Sequence, residues 1–328
     1  MGYPRRLLVD DDIAGFYHCV SRCVRKAFLC GDRYEHRRSW IEDRLAQLVE
    51  IFAIQPCGYG IMSNHLHVVL KTDPQQAAAW TDRQVVERWL RLYPKRLEKV
   101  TLPAGSKAAA KRAREQLIQN LLSQESFVAT WRKRLASISW FNKLLKEPIA
   151  RRANREDGCT GHFWEGRFKS HRLLDEAAVL ACMVYVDLNP IRAGIAKALG
   201  ECGFTSLIQR LKAIKADSAR RRRTSRRSGK GRRARRPGGW VIPIESLFSM
   251  TTGDYVSLVA HTGGVGQDEG DHAQRLSALG VDPARWSKLL SRTARMYGTA
   301  IGCAAELVTE ARRRGCRWIV NALDVYRR

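Results

Sequence analysis

The chain has 328 residues, with 58 lysines and arginines against 32 aspartates and glutamates, for a formal net charge of +26. Hydrophobic residues make up 45% of it, which excludes a disordered basic tail, and the length suffices for about two domains. The charge excess favours a polyanionic partner, nucleic acid first and an anionic membrane surface second.

Hydrophobic patterning predicts, in chain order, a strand, a helix, a strand hairpin, a long helical stretch, another strand and another helix. The predicted ranges are residues 14–24, 35–53, 55–61 with 65–72, 83–146, 162–171 and 175–188. This order predicts an α+β fold with a ferredoxin-like, split βαβ antiparallel sheet and flanking helices. Helices at about 284–296 and 300–314 predict a mostly helical C-terminal part.

An arginine-rich stretch divides the chain. Residues 220–236 contain eleven basic residues and no acidic one, which predicts a disordered linker that can also contact phosphates. We therefore expect a first domain at 1–212, a linker at 213–239 and a helical accessory domain at 240–328. The last range has eleven basic and nine acidic residues, a net of +2, so the nucleic-acid signal belongs to the first domain and the linker.

Cysteine usage and hydropathy bear on the cellular compartment. The nine cysteines form an odd set with no CxxC pair, which argues against a disulfide framework or a zinc ribbon. The apolar run Ala177–Val186 is too short for a bilayer, and the N-terminal MGYPRRLLVDDD is a poor secretion signal. We expect a cytoplasmic protein with reduced thiols and no membrane partner.

A first group of candidate functional residues lies on the predicted strand 65–72. Since side chains alternate along a strand, His65 and His67 share one face, and Leu66 and Val68 face the core. Two imidazoles on one rigid face can bind a divalent metal, although two surface histidines are an equally physical interpretation until a third ligand is found.

A second group lies at the end of the helix predicted at 175–188. Tyr185 and Asn189 are four residues apart and share a face if the helix continues to Asn189-Pro190. A tyrosine in an apolar helix can also be a packing residue, and Asn before Pro can simply mark a helix end.

Together the two groups suggest phosphodiester chemistry. Magnesium or manganese held by His65, His67 and the Asn189 oxygen would polarise the phosphodiester, and Tyr185 would attack phosphorus to form a phosphotyrosine. The covalent bond would conserve the phosphodiester energy for rejoining.

These residues resemble the HUH single-strand DNA transposases, in particular the tyrosine transposases associated with repetitive extragenic palindromes (REP). That family pairs a His-hydrophobic-His strand with a helix reading Tyr-Ile-x-x-Asn-Pro-Val. His65-Leu66-His67 matches the first motif and Tyr185–Ile191 the second, and residues 161–170 look like the family's preceding strand. The resemblance covers roughly residues 14–208. The long interval 73–160, the arginine-rich stretch and the C-terminal extension depart from compact members.

The resemblance implies a metal-dependent transposase, an endonuclease on hairpin-bearing or palindromic single-stranded DNA, with Tyr185 as nucleophile. It implies cleavage to a 5′-phosphotyrosine and a free 3′-OH, followed by strand transfer, by a monomer or homodimer at the bacterial nucleoid. Two other interpretations stay open: a noncatalytic, domesticated nucleic-acid-binding protein, and a metallonuclease with water as nucleophile.

Candidate DNA contacts follow from strand alternation and basic stretches. On the predicted strand 162–171, Glu165, Arg167 and Lys169 share one face, with the two basic residues meeting phosphates, and Trp164 and Phe168 face the core. The reverse assignment, with Phe168 stacking on a base, is physically allowed.

Three further arginines are DNA-contact candidates with a second interpretation each. Arg192 follows the tyrosine helix and either binds phosphate or pairs with an acid. Arg151 and Arg152 lie in a basic stretch that either tracks a nucleic-acid backbone or forms a solvated helix end.

Overall fold

The computed structural model describes residues 8–102, 106–224, 239–265, 272–295, 299–317 and 319. Its strands form one sheet in the order β2-β3-β1-β4-β5. They are β1 (Gly15–Arg22), β2 (Ile54–Ile61), β3 (His65–Thr72), β4 (Lys169–Leu173) and β5 (Ala300–Ile301). The first four strands pair antiparallel, and β5 adds to β4 in parallel.

Helices cover both faces of this sheet and confirm the predicted α+β class. In chain order they are α1 (Arg37–Val49), α2 (Pro74–Ala78), α3 (Asp82–Leu92), α4 (Pro94–Thr101), α5 (Lys107–Leu122), α6 (Glu125–Ala136), α7 (Ile138–Glu156), α8 (Glu176–Asp187), α9 (Asn189–Arg192), α10 (Ser206–Thr224), α11 (Thr252–Gly263), α12 (His272–Ala278), α13 (Trp286–Arg295) and α14 (Ala304–Arg313). No helix among the described residues is long and apolar enough to cross a membrane.

The prediction of a strand at 162–171 is wrong over most of that range. Only Lys169 onward joins the sheet as β4, while the preceding segment touches β1 through an isolated bridge between Cys23 and Trp164. A hydrogen bond from Lys146 Nζ to the Gly166 carbonyl, 2.8 Å, instead ties this segment to α7. Trp164 and Phe168 are nevertheless buried, as expected.

The C-terminal range contributes directly to the sheet and its core. Its two-residue strand β5 makes the sheet mixed instead of purely antiparallel, which the sequence did not indicate. Helix α13 packs on α8, and α10 extends through residue 224, well into the range predicted as linker. Residues 225–238, the rest of the arginine-rich stretch, lie outside the described residues.

Two hydrophobic clusters occupy the two faces of the sheet. On one face, side chains of β1 and β3 such as Tyr17, Leu66 and Val68 pack with α1 and α7. On the other face, Val69 and Leu173 pack under α8 together with residues of α11 and α13. We call these the α1 face and the α8 face; the predicted site residues His65, His67 and Tyr185 belong to the second.

Candidate functional site

The histidine pair lies where strand pairing predicts. His65 is opposite Arg22 and His67 opposite Val20 in the β1–β3 register, so all four side chains project from the α8 face. Leu66 and Val68 project into the α1 face and are buried there, as expected. The strand thus presents two imidazoles side by side, with ring centroids 4.8 Å apart.

Hydrogen bonds hold both histidine rings through their Nδ1 atoms. His65 Nδ1 lies 2.6 Å from the Asn64 side-chain oxygen, whose amide nitrogen donates to the Lys26 carbonyl. The amide orientation thereby makes His65 Nδ1 the donor, which leaves Nε2 unprotonated in the neutral ring. His67 Nδ1 lies 2.8 Å from His18 Nε2. For His67 Nε2 to bind a metal ion, His67 Nδ1 must carry the proton and donate this hydrogen bond to His18.

Burial keeps the imidazoles of this face neutral. It lowers the pKa of His65 to about 4, with the positive charge of Arg22 adding to the effect, and holds the pKa of His67 well below its usual range. His18, completely buried behind His67, has its pKa lowered by burial to about 3. Neutral imidazole is the form that binds metal ions.

Helix α8 forms and lies against the sheet for identifiable reasons. The Asp175 carboxylate caps it by accepting from the Ala178 amide at 2.8 Å. Every residue from Ala177 to Asp187 is buried, which fits a helix enclosed between the sheet and the C-terminal helices. Gly60 permits the close approach, because a Cβ there would lie 3.1 Å from the Val186 carbonyl oxygen.

This packing places Tyr185 over the histidines. Its ring centroid lies 5.6 Å from that of His67 in a perpendicular arrangement and 6.3 Å from that of His18. The side chain is 8% exposed. Burial raises the pKa of the Tyr185 hydroxyl, while the neighbouring Asn189 side chain and the charges of Arg192 and Arg22 act in the opposite direction.

Asn189 stays on the same face as Tyr185. Leu188 has helical dihedral angles and its amide bonds the Val184 carbonyl at 3.0 Å, so the helical path continues from α8 into α9. The buried Asn189 amide nitrogen has no hydrogen-bond partner among the described residues. The unpaired atom is a hydrogen-bond donor, whereas the oxygen at the other end of the same amide is the atom that can bind a metal ion.

His65, His67 and Asn189 have side chains that can ligate a divalent metal ion, but only two of the three are of the usual metal-binding types. Among the described residues, no group of three or more His, Cys, Asp or Glu side chains could hold a metal ion. A site therefore depends on an amide oxygen from Asn189 in addition to the two imidazoles. The two rings are held through Nδ1, which leaves Nε2 of each as the ligating atom and suits that donor set.

Basic side chains surround this group at one end of the sheet. Arg22 lies opposite His65, and the exposed Lys169 lies opposite Val20 on the same face. Arg167 is exposed in the segment that binds the end of β1, where the Glu165 amide donates to the Arg22 carbonyl at 2.8 Å. The exposed Arg192 guanidinium lies 5.7 Å from the Tyr185 ring centroid.

Two predicted DNA contacts lie elsewhere. Arg151 and Arg152 are exposed on α7, which packs on α1 at the other face of the sheet. Arg151 pairs with Glu147, and the Arg152 guanidinium lies 3.7 Å from the Trp40 ring centroid. The structure does not bring either of them to Tyr185.

The far side of α8 is tied to the C-terminal range by a buried carboxylate. Asp187 accepts hydrogen bonds from Tyr255 Oη at 2.7 Å and from Ser206 Oγ at 2.6 Å. Burial raises its pKa, whereas Arg210 and these hydrogen bonds lower it. This network fixes the helix that carries Tyr185.

Sequence reasoning missed His18 and Arg22 as site residues. Both lie on β1 in the alternating series His18, Val20, Arg22, which gives them the same face. That signal becomes informative only when the pairing register of β1 with β3 is known.

Comparisons with known proteins give one distant likeness. No family model and no curated protein matches the sequence. A solved structure of a REP-associated tyrosine transposase bound to a REP hairpin is similar over 74% of this chain and 99% of its own, with 12% identity and a TM-score of 0.36. A likeness of this size carries no argument, and what can be said of function rests on the residues and geometry of the α8 face.

Proposed function

We propose that this protein is a metal-dependent tyrosine transposase that cleaves and rejoins hairpin-bearing single-stranded DNA. One observation carries the proposal: Tyr185 lies against His67, at 5.6 Å between ring centroids, although the two motifs are about 120 residues apart in the sequence. A packing tyrosine does not need a pair of Nδ1-bonded imidazoles beside it.

Tyr185 is the nucleophile in this proposal. A bond forms between Tyr185 Oη and the phosphorus, the bond from phosphorus to the 3′ oxygen breaks, and a 5′-phosphotyrosine and a free 3′-OH result. The phenol gives up its proton and the departing 3′ oxygen takes one up, so no proton is consumed overall. Attack of a 3′-OH on the phosphotyrosine reverses the step and rejoins a strand without a nucleotide cofactor.

His65, His67 and Asn189 would hold a divalent ion, Mg²⁺ or Mn²⁺. Such an ion, when bound, supplies Lewis-acid stabilisation of charge on the phosphoryl oxygens. The chain's own residues orient the site: Asn64 and His18 fix the two rings, and Asp187 fixes the helix.

The basic residues at this end of the sheet would hold the DNA. Arg22, Lys169, Arg167 and Arg192 provide positive charge beside the tyrosine, and none forms an ion pair with another described residue. Exposed cations bind phosphates regardless of base sequence, so they position the DNA strand but give no sequence specificity. These contacts do not explain a preference for hairpins, which the choice of DNA substrate in the experiment below tests.

A denaturing gel tests the proposal. The wild-type protein is incubated with 5′- or 3′-labelled single-stranded hairpins and Mn²⁺, and a slower-migrating covalent adduct is expected for one label only. Tyr185→Phe should form no adduct, and EDTA should abolish the reaction. Cleavage without any adduct would indicate that water, and not Tyr185, is the nucleophile. Binding without cleavage would favour a noncatalytic nucleic-acid-binding protein.

A further inference from the structure

A second basic surface lies on the α1 face, away from Tyr185. Residues of α1, α3, α4, α7 and the loop after α7 line a cleft of about 1110 Å³. We call it the α4–α7 cleft. Its lining carries six basic side chains and one acidic one, Glu147. The basic residues are Arg44, Lys95, Arg96, Lys99, Arg151 and Arg155.

Most of this positive charge is uncompensated. Lys95, Arg96, Lys99 and Arg155 are exposed, and none forms an ion pair with another described residue. Glu147 is already paired with Arg151. Unpaired cations that converge on one cleft create a local positive field, which attracts a polyanion more strongly than the same charges spread over a surface.

The cleft also offers an aromatic ring. Tyr93, at the junction of α3 and α4, is 38% exposed, and its ring centroid lies 5.4 Å from that of the buried Trp89. Trp89 in turn stacks on Trp131 at an interplanar angle of 9°, so the ring beneath Tyr93 is fixed. A supported, partly exposed ring among cations is the combination that binds single strands, since bases stack on the ring while phosphates contact the cations.

The cleft connects to the Tyr185 site along the chain. Gly161 lines the cleft, and Glu165 donates its amide to the Arg22 carbonyl beside His65. Four residues span at most about 14 Å, so the rim of the cleft lies that close to the end of β1. A single strand that leaves the tyrosine site past Arg167 has a short path into the cleft.

We propose that the α4–α7 cleft binds single-stranded DNA that flanks the cleaved site, as an accessory site for the substrate strand. This rests on the proposed function for the identity of the polyanion, but binding at the cleft requires no cleavage. Arg151 also lines the cleft, but its pairing with Glu147 makes it a weaker phosphate ligand than the unpaired cations beside it.

The test measures binding in the Tyr185→Phe background, so no covalent bond contributes. Fluorescence anisotropy follows two labelled probes, a dT20 single strand and a blunt hairpin without a single-stranded tail. The cleft variant carries Lys95→Glu, Arg96→Glu and Lys99→Glu. A control variant carries Lys107→Glu, Lys111→Glu and Arg112→Glu, three exposed residues of α5 outside the cleft, with the same change in net charge.

The cleft variant should bind dT20 at least tenfold more weakly, whereas the control variant should change less than threefold. The slope of log K against log salt should fall by about 2 for three lost phosphate contacts with a single strand. Binding of the blunt hairpin should change less than threefold in both variants. Equal losses in the cleft and control variants, or no loss in either, would overturn the proposal.

A milder pair of variants guards against misfolding of the charge-reversed protein. Tyr93→Ala should weaken dT20 binding at least fivefold through lost stacking, and Tyr93→Phe should retain it. The proposed function fails separately: if the wild-type protein forms no adduct with any hairpin while dT20 binding still depends on the cleft residues, the cleft proposal stands and the transposase proposal does not.

Discussion

The two faces of the sheet differ in the number of buried polar groups that they leave without a partner. On the α1 face, Leu66, Val68 and Leu70 meet helices through apolar contacts, and the core is continuous with the helical stretch that precedes β4. On the α8 face, the buried polar atoms with no partner among the described residues include His18 Nδ1, His171 Nδ1, Asn189 Nδ2 and two nitrogens of Arg210, whereas Ser170 Oγ, opposite Cys19, projects into the α1 face. Both faces have a hydrophobic core, but the α8 face keeps more unsatisfied polar groups, and they surround a tyrosine.

This difference teaches where to look for chemistry. A buried polar atom without a partner costs about 1–3 kcal/mol, so a face that keeps several is under a constraint other than stability. Substitutions on the α1 face should then cost folding free energy without a specific effect on catalysis. Substitutions at the histidines and the tyrosine of the α8 face should in addition reduce adduct formation.

The largest expected effect on stability is on the α1 face. Phe141 is fully buried, with its ring 5.4 Å from that of Phe52, so Phe141→Ala should lower the free energy of unfolding by about 3–5 kcal/mol. Urea denaturation measures the change. Phe127→Ala, at a position 52% exposed, serves as the control and should cost about 1 kcal/mol or less. Equal costs would mean that Phe141 is not part of the core.

Substitution of the histidine pair should affect adduct formation. His65→Ala combined with His67→Ala should reduce adduct formation by roughly 10²–10³-fold, because stabilisation of charge on the phosphoryl oxygens is lost. Calorimetric titration with Mn²⁺ should lose its binding signal. His162→Ala, at an exposed position, should leave both unchanged. If the double variant bound Mn²⁺ as tightly as the wild type, His65 and His67 would not be metal ligands.

Acid should destabilise the α8 face through its neutral histidines. Burial lowers the pKa of His18 to about 3 in the folded protein, whereas the same imidazole in the unfolded chain binds a proton at about pH 6.5. The stability from this group is present above pH 6.5 and falls by about 2 kcal/mol by pH 5. His18→Gln should flatten the decline in unfolding free energy between pH 7 and pH 5 by that amount. An unchanged slope would show that His18 is charged in the folded protein.

The smallest effect concerns the support of α8 from the C-terminal range. Tyr255→Phe removes the hydrogen bond to Asp187 and should lower the free energy of unfolding by about 1–2 kcal/mol, since Ser206 still satisfies the carboxylate in part. Adduct formation should also slow, because the helix that carries Tyr185 loses one support. Tyr93→Phe, at a half-exposed ring, should change neither quantity. A Tyr255→Phe protein as stable as wild type would mean that the network adds nothing to stability.

Local sequence patterns were sufficient for the parts that depend on local physics. The β2–β3 hairpin, helix α8 and the shared face of His65 and His67 follow from alternation and helical periodicity, and the structure confirms them. The segment before Lys169 failed because alternating side chains do not reveal whether a partner strand is present. Phe168 is buried there all the same.

Long-range features lay beyond the sequence for a physical reason. The contributions of His18 and Arg22 depend on a register between strands about fifty residues apart, and that of β5 on a two-residue pairing with β4. The remoteness of Arg151 and Arg152 from Tyr185 depends on how the helical stretch folds over the α1 face. None of these leaves a local pattern.

One measurement tests the central claim most directly: mass spectrometry of the protein–DNA adduct after protease and nuclease digestion. Wild-type protein, incubated with a single-stranded hairpin and Mn²⁺, should yield a peptide in which Tyr185 carries a 5′-linked nucleotide. A nucleotide on another residue, or complete cleavage with no modified peptide, would contradict the assignment of Tyr185 as the nucleophile.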